Sequence, residues 1–147
     1  GPVVKISEND LPRRDNIHYL GGKDYKDLPS YMAGWDVAMM PFALNESTRY
    51  ISPTKTPEYL AAGLPVISTA IRDVVRPYHE KGLVYIVSSP EDFSSAITKA
   101  LQEHSTARIA KADEFLAENS WDKTWAEMNR LIEETIAGKP KAAVQKV

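Results

Sequence analysis

The stretch ISPTKTPEYLAAGLPVIST, residues 51–69, holds a helix start, a helix end and a strand in close succession. Ser52 and Pro53 are residue types that favour the first turn of a helix. Gly63 is typical of a helix end, and an apolar run follows it. Pro57 lies deeper, where its ring clashes with an earlier carbonyl, so the regular helix is expected to begin close to it. The stretch therefore predicts a short helix that leads into a buried strand.

Short apolar runs alternate with helical patterns along the rest of the chain. The predicted strands cover residues 3–6, 17–20, 37–42, 66–68 and 84–87. The alternation predicts a parallel sheet covered by helices, because parallel neighbours need a crossover between them. The run at 37–42 has no polar break, as is typical of a strand buried on both faces. The predicted fold class is therefore α/β with C-terminal helices.

Two short helices are predicted between the strands, and longer ones follow the last strand. Asp27 is expected to cap the first short helix, with Trp35 on its apolar face. The second short helix is expected over residues 71–78. The longer helices are predicted to open at the cap residues Ser89, Ser105 and Ser120.

The chain is predicted to form one partial domain over residues 1–138 and a loose tail over residues 139–147, which have little to bury. It opens on an apolar run without a polar lead-in, so we expect it to belong to a longer protein. Trp35, Trp121 and Trp125 are expected to anchor packing, and the last two would be exposed where another domain should sit.

Composition excludes several classes of function. The chain has 147 residues, a formal net charge of −2 and no cysteine. The charge gives no field to attract nucleic acid, and the missing thiols exclude disulfides, thiolate metal sites and cysteine nucleophiles. The three histidines are scattered without metal-ligand spacing, so no metal site is expected. No apolar run approaches the ~18 residues of a membrane span. A cytoplasmic protein is expected, with peripheral membrane association of the full protein left open.

Residues 52–58 combine groups that suit a phosphate ligand and a ribose. They follow a buried parallel strand and open a helix, where open α/β sheets bind ligands and helix N–H groups favour anions. Ser52 and Thr54 add hydroxyl donors, and Lys55 adds a full positive charge. Glu58 lies three residues later on about the same helix face, as a partner for ribose hydroxyls. The same spacing also fits a capped, solvated helix with a Lys55–Glu58 ion pair.

This segment resembles the donor-site segment of retaining GT-B glycosyltransferases of the glycosyl transferases group 1 type. In those families a Ser-Pro-x-Lys turn is followed by Glu-Tyr-x-Ala-x-Gly-x-Pro-Val, and residues 52–66 carry both parts. The Leu-Pro-x-Tyr pattern at 28–31, the run at 36–41 and Ser120-Trp121 resemble neighbouring elements of the family. The resemblance covers about residues 15–137.

The resemblance implies a Rossmann-like C-terminal domain that lacks its first strand and helix, together with a missing N-terminal domain. It implies a UDP- or GDP-sugar donor, a sugar or lipid-linked acceptor, and no bound cofactor or metal. Carried over by position, Lys55 would contact the donor phosphates and Glu58 the ribose hydroxyls. Ser52, Pro53 and Thr54 complete the same turn. The full protein would be a hexosyltransferase of polysaccharide or glycoconjugate assembly, and this chain alone would be inactive.

The sugar end of the predicted site departs from the family. Many relatives carry a second glutamate eight residues before the equivalent of Glu58, where this chain has Tyr50. Glu46 lies nearby at the wrong spacing, so no catalytic residue is identified.

Two segments beside the motif supply further candidates for donor binding. Asn45 and Arg49 lie in the polar loop that leads into the motif, and Thr69 and Arg72 follow the next strand.

Three other interpretations remain open from the sequence. One is a non-catalytic α/β binding module, and another is an interaction fragment whose half-sheet pairs with a second copy. A third is a fragment that carries the name UDP-galactopyranose mutase. The residues give no support for that flavin chemistry, because the chain has no Gly-x-Gly-x-x-Gly segment.

Overall fold

A three-stranded parallel sheet organises the chain, of which the computed structural model describes residues 6–103 and 105–138. The strands are β1 (Ala38–Met40), β2 (Val66–Ser68) and β3 (Val84–Ile86), in the spatial order β1-β2-β3. Met39 lies opposite Ile67, which lies opposite Tyr85 on the other side. The predicted α/β class with a parallel sheet is therefore confirmed.

Helices connect and follow the strands. They are α1 (Leu28–Met32), α2 (Lys55–Ala61), α3 (Arg72–Val74), α4 (Pro90–Gln102), α5 (Ser105–Ala117) and α6 (Trp121–Gly138). Within the described ranges, no helix combines the length and the apolar character that crossing a bilayer requires.

The two faces of β2 are buried against different helices. Val66 faces α2 and α5, where it packs with Leu60 and Ala112. Ile67 points to the opposite face and packs with Ala96 of α4. Leu60, Val66 and Ile67 are completely inaccessible to solvent, and each such side chain contributes roughly 1.5–3 kcal/mol of transfer free energy. The central strand β2 is therefore covered on both faces. The prediction that the strand at 37–42 is buried on both faces is wrong, because Met39 of β1 is 51% exposed.

The strand predicted at residues 17–20 is wrong. These residues form no regular element, and Ile17, Tyr19 and Leu20 are exposed. The Tyr19 hydroxyl donates to the carbonyl of Pro12 at 2.9 Å, which is a local contact. A strand needs a neighbour for its N–H and C=O groups, and no described strand lies beside this segment. The strand predicted at 3–6 lies mostly outside the described residues.

Other element boundaries are shorter than predicted. Residues 37–42 contain only the three residues of β1. The helix predicted at 71–78 is α3 followed by a wide turn at Val75–His79, in which Arg76 has non-helical angles (φ −111°, ψ 120°). Proline disfavours helical angles for the residue before it, and Pro77 follows Arg76. Asp27 precedes α1 but makes no side-chain cap, and Trp35 lies beyond the end of that helix.

The start of α4 is the best-defined helix end. The Ser89 hydroxyl accepts from the backbone N–H of Asp92 at 3.1 Å, and the Asp92 carboxylate accepts from the backbone N–H of Ser89 at 3.1 Å. Hydrogen bonds from Ser89 and Ser88 hold the pKa of Asp92 below its ordinary value. Ser120 likewise accepts from the N–H of Lys123 at 3.1 Å. The predicted cap residues of these two helices are confirmed.

Helix α6 carries an apolar face that no other described element covers. Trp121 is 88% exposed and Trp125 is 64% exposed. The same face includes Met128, Ile132 and Ile136, which are also exposed. These tryptophans therefore do not anchor the core of this chain, and they are placed to pack against another surface.

Candidate functional site

The end of β1 is joined to the first turn of α2. Thr56 is completely buried, and its hydroxyl lies 3.8 Å from the sulfur of Met40, the last residue of β1. This contact fixes the start of α2 at the carboxyl edge of the sheet. Ligands of open α/β sheets bind at that edge.

Helix α2 begins differently from the sequence prediction. Thr54 occupies the cap position with helical angles (φ −62°, ψ −20°) and without a side-chain cap, so the expected cap by Ser52 is wrong. The regular helix begins at Lys55 instead of near Pro57. Pro57 is tolerated because it falls in the first turn, where backbone N–H groups have no intrahelical partner. The exposed Ser52 hydroxyl is consequently not used by the helix.

Lys55 and Glu58 lie in the first turn of α2 without forming an ion pair. Lys55 is exposed and Glu58 is half-buried. The ion pairs among the described residues involve other side chains. The alternative interpretation, a solvated helix with a Lys55–Glu58 ion pair, is therefore wrong. Both charges remain available to a ligand.

The loop before α2 is shaped by Asn45. Its side-chain oxygen accepts from the N–H groups of Ser47 at 3.0 Å and Thr48 at 3.2 Å. The Thr48 hydroxyl donates to the carbonyl of Ala43 and accepts from the N–H of Asn45 at 3.1 Å. The Asn45 oxygen is thus committed to the loop, and its NH₂ group is the part left for a ligand.

Thr69 joins the ends of the first two strands. Its hydroxyl donates to the carbonyl of Phe42 at 2.8 Å, and its backbone N–H donates to the carbonyl of Met40 at 3.4 Å. Ser68, which is completely buried, donates to the same Met40 carbonyl at 3.2 Å. The Thr69 hydroxyl can still accept a hydrogen bond, but its proton is used inside the protein.

A cavity of about 560 Å³ lies between the loop before α2 and the residues after β2. Its walls are Leu44, Asn45, Thr48, Arg49, Tyr50, Ala70, Ile71 and Arg72. The predicted candidates therefore divide into three groups. Asn45, Arg49 and Arg72 line the cavity, Thr69 precedes the wall residue Ala70 without lining the cavity, and residues 52–58 continue the chain beyond Tyr50.

Several wall residues were not singled out by the sequence. Leu44, Thr48, Ala70 and Ile71 line the cavity, and only their positions beside the candidates could have indicated it. Tyr50, noted in the sequence only as a departure, presents its ring 5.2 Å below the guanidinium of Arg49. Such stacking orients a guanidinium without neutralising its charge.

The remaining titratable groups offer little other chemistry. Within residues 6–103 and 105–138, no group of three or more His, Cys, Asp or Glu side chains is arranged to hold a metal ion. The Nδ1 atom of His79 lies 2.9 Å from the carbonyl oxygen of Val84, so this ring is used locally. Burial, and then the charge of Glu58, raises the pKa of Tyr59, so its phenol stays protonated.

The chain belongs to the family glycosyl transferases group 1, whose model matches residues 4–103. The chain is also 28% identical over 131 residues to the "Putative teichuronic acid biosynthesis glycosyltransferase TuaH" of Bacillus subtilis (strain 168). The alignment covers 88% of this chain and 29% of that relative. No solved structure matches the chain significantly.

The family match confirms that residues 51–69 resemble a glycosyltransferase of the group 1 type, and the retaining stereochemistry stays a prediction. The matched range contains the cavity, the turn at 52–55 and the whole sheet, and it ends before α5. A glycosyltransferase domain of the GT-B type with a Rossmann-like α/β fold is therefore the class to which this chain belongs.

Proposed function

We propose that this chain is the donor-binding part of a glycosyltransferase that moves a sugar from a UDP- or GDP-sugar to a polysaccharide, lipid or other glycoconjugate acceptor. One observation carries the proposal. Lys55 and Glu58 lie at the carboxyl edge of the sheet, in the family's matched segment, without an ion pair of their own.

Lys55 is proposed to bind the donor diphosphate. It is the first residue of α2 and exposed, so its ammonium can approach a phosphate without losing a protein partner. Ser52 and Thr54 offer hydroxyl donors, and Pro53 fixes the backbone of the turn. A charge-assisted hydrogen bond of this type is about twice as strong as a neutral one.

Glu58 is proposed to bind the ribose. Its carboxylate can accept hydrogen bonds from two vicinal hydroxyls, and its partly buried position strengthens such bonds relative to those in water. One helix turn would therefore bind both parts of the donor, with Lys55 at the phosphates and Glu58 at the neutral ribose hydroxyls.

The rest of the protein is proposed to supply the acceptor site. The chain spans 29% of the length of its Bacillus subtilis relative, so a longer protein leaves room for another domain. The uncovered face of α6 is the surface proposed to pack against it. The chain alone is proposed to bind donor without transferring sugar. The relative's name includes teichuronic acid biosynthesis, which supports a role of this chain in polysaccharide assembly.

The test is a titration of the isotope-labelled chain with UDP, GDP and ADP, followed through backbone amide shifts. We expect saturable shifts centred on residues 52–58 for one base, and their loss in Lys55→Ala. Lys99→Ala is the matched control, because Lys99 is exposed on α4, which covers the opposite face of the sheet. Unchanged amide shifts with all three nucleotides would contradict the proposal.

A further inference from the structure

We propose that the cavity of about 560 Å³ between the loop before α2 and the residues after β2 receives a carboxylate carried by the donor sugar. The preferred donor would then be a nucleotide-activated sugar acid. This inference rests on the proposed function, and it names the substrate class of the same site. The cavity is called the arginine pocket below, after Arg49 and Arg72.

The charges of the arginine pocket carry the inference. Arg49 comes from the loop before α2 and Arg72 is the first residue of α3, and both residues line one space. No carboxylate lines that space, although Glu46 belongs to the same loop and Asp73 follows Arg72. Among the described residues, neither arginine takes part in an ion pair. The pocket therefore holds two positive charges that an anion would neutralise.

The uncharged walls suit a sugar ring. Tyr50 is 67% exposed and lines the pocket while its ring lies under the Arg49 guanidinium. An aromatic ring offers an apolar surface to the C–H face of a sugar. The NH₂ group of Asn45 and the Thr48 hydroxyl are polar groups in the same walls.

The position of the pocket fits the sugar end of the donor. Tyr50 precedes Ser52 by two residues, so their Cα atoms are separated by at most about 7 Å. That span is close to the size of one sugar ring. A diphosphate at the turn of residues 52–55 would therefore place its sugar next to the arginine pocket. The volume also lies within the usual range of roughly 300–1,000 Å³ for ligand sites.

A carboxylate accounts for the pocket better than a diphosphate does. The diphosphate already has a cation in Lys55, at the start of α2. A guanidinium matches a carboxylate or a phosphate with two parallel hydrogen bonds, so the preference for a carboxylate rests on Lys55 already serving the diphosphate. Two arginines beside an aromatic ring are a combination suited to a planar anion on a ring.

Matched pairs of donors test the inference directly. The chain is titrated with UDP-glucose and UDP-glucuronic acid, which differ only by a hydroxymethyl group against a carboxylate, and with GDP-mannose and GDP-mannuronic acid. We expect the acid of one pair to bind about tenfold more tightly at low salt. The preference should shrink as salt is added, because both arginines are exposed and their charges are screened.

Substitutions assign that preference to the pocket. Arg49→Gln and Arg72→Gln should each lower the affinity for the sugar acid more than the affinity for the neutral sugar, and so remove most of the preference. Arg72→Lys should restore part of it, because the charge remains without the planar fork. Arg76→Gln is the control, since that exposed arginine pairs with Glu80 at 2.8 Å outside the pocket. Both tested arginines are exposed, so the amide spectra of the variants should match the native spectrum.

Each contrary outcome has a distinct meaning. Equal affinity for the two members of both pairs would overturn the inference and leave the proposed function standing. If both Gln variants lost equal affinity for the sugar acid, the neutral sugar and the bare nucleotide, the arginines would be assigned to the diphosphate. That result would also overturn the inference. No binding of any of the four donors would overturn the proposed function itself, and the inference with it.

Discussion

The hydroxyl of Thr69 donates to the carbonyl oxygen of Phe42 at 2.8 Å, and this bond joins the chain just after β2 to the chain just after β1. Both segments continue directly into the walls of the arginine pocket. The bond therefore holds the two walls at a fixed separation. Because Phe42 and Thr69 are partly buried, water replaces the bond poorly.

Thr69→Val should weaken this connection without changing the size of the side chain. We expect a loss of about 1 kcal/mol in the free energy of unfolding, measured by urea denaturation, because the Phe42 carbonyl loses its donor. Thr69→Ser keeps the hydroxyl and serves as the control. A Thr69→Val chain as stable as the Ser variant would show that the bond contributes nothing.

Glu58→Ala should reduce nucleotide affinity only when the ribose hydroxyls are present. For the unsubstituted chain we expect UDP or GDP to bind about tenfold more tightly than the corresponding 2′,3′-dideoxynucleotide, because hydrogen bonds to a charged acceptor are strong. In Glu58→Ala the two ligands should bind alike. Calorimetric or NMR titration measures both ratios. An undiminished preference for the ribose in the variant would remove Glu58 from the site.

Arg108→Ala should destabilise the fold where α5 meets the end of α2. Arg108 of α5 is only 7% exposed, and it donates to the carbonyl of Gly63 at 3.0 Å, where α2 ends. It also lies 3.4 Å from the Glu103 carboxylate. The variant leaves the Gly63 carbonyl without its donor, so we expect the free energy of unfolding to fall by roughly 1–3 kcal/mol. The loss is measured as a lower midpoint of urea denaturation. Arg130→Ala on exposed α6 should change the midpoint much less, and equal effects would contradict the argument.

Asp92→Asn should remove one component of the acid sensitivity of the fold. The pKa of Asp92 is lower in the folded chain than its ordinary value of 3.8, so its ionised form stabilises the native state. That contribution is present above the ordinary pKa and disappears as the pH falls through the lowered folded value. Urea midpoints at about pH 6 and about pH 3 should therefore differ less in Asp92→Asn than in the native chain. Identical pH dependence in the two chains would exclude the effect.

The exposed tryptophans of α6 should become protected in a longer version of the protein. In this chain we expect acrylamide to quench Trp121 and Trp125 efficiently, because they are 88% and 64% exposed. In the full-length protein the quenching should fall if the α6 face packs against the remaining domain. Trp35→Phe in both proteins removes the third tryptophan from the signal. Equal quenching in the two proteins would contradict the proposed role of this face.

The sequence predicted correctly those features that depend on contacts between residues close together in the chain. The Ser89–Asp92 cap is a contact within four residues, so residue types alone were sufficient to predict it. The strand at Val66–Ser68 was equally clear, because an apolar run bounded by Gly63 and Thr69 has few alternatives. The family resemblance of residues 51–69 was confirmed by the match to residues 4–103.

Features that depend on contacts between distant residues could not be predicted from the sequence. Residues 17–20 have the composition of a strand, but composition does not supply a neighbour for their backbone groups. Ser52 is a favourable cap residue, yet the packing of Thr56 against Met40 places the helix start elsewhere. Arg49 and Arg72 were both predicted as candidates for donor binding, but that they line one pocket follows from the parallel alignment of β1 and β2.

Helix α2 is held at both ends, by Thr56 against Met40 and by the Gly63 carbonyl against Arg108. Such a helix is pre-organised, and a nucleotide that meets it loses little affinity to the ordering of the protein. Differences in affinity among donors should then appear mainly as differences in dissociation rate. The adaptable part of the site is the loop that carries Arg49, so sugar selectivity can change there while the α2 scaffold stays the same.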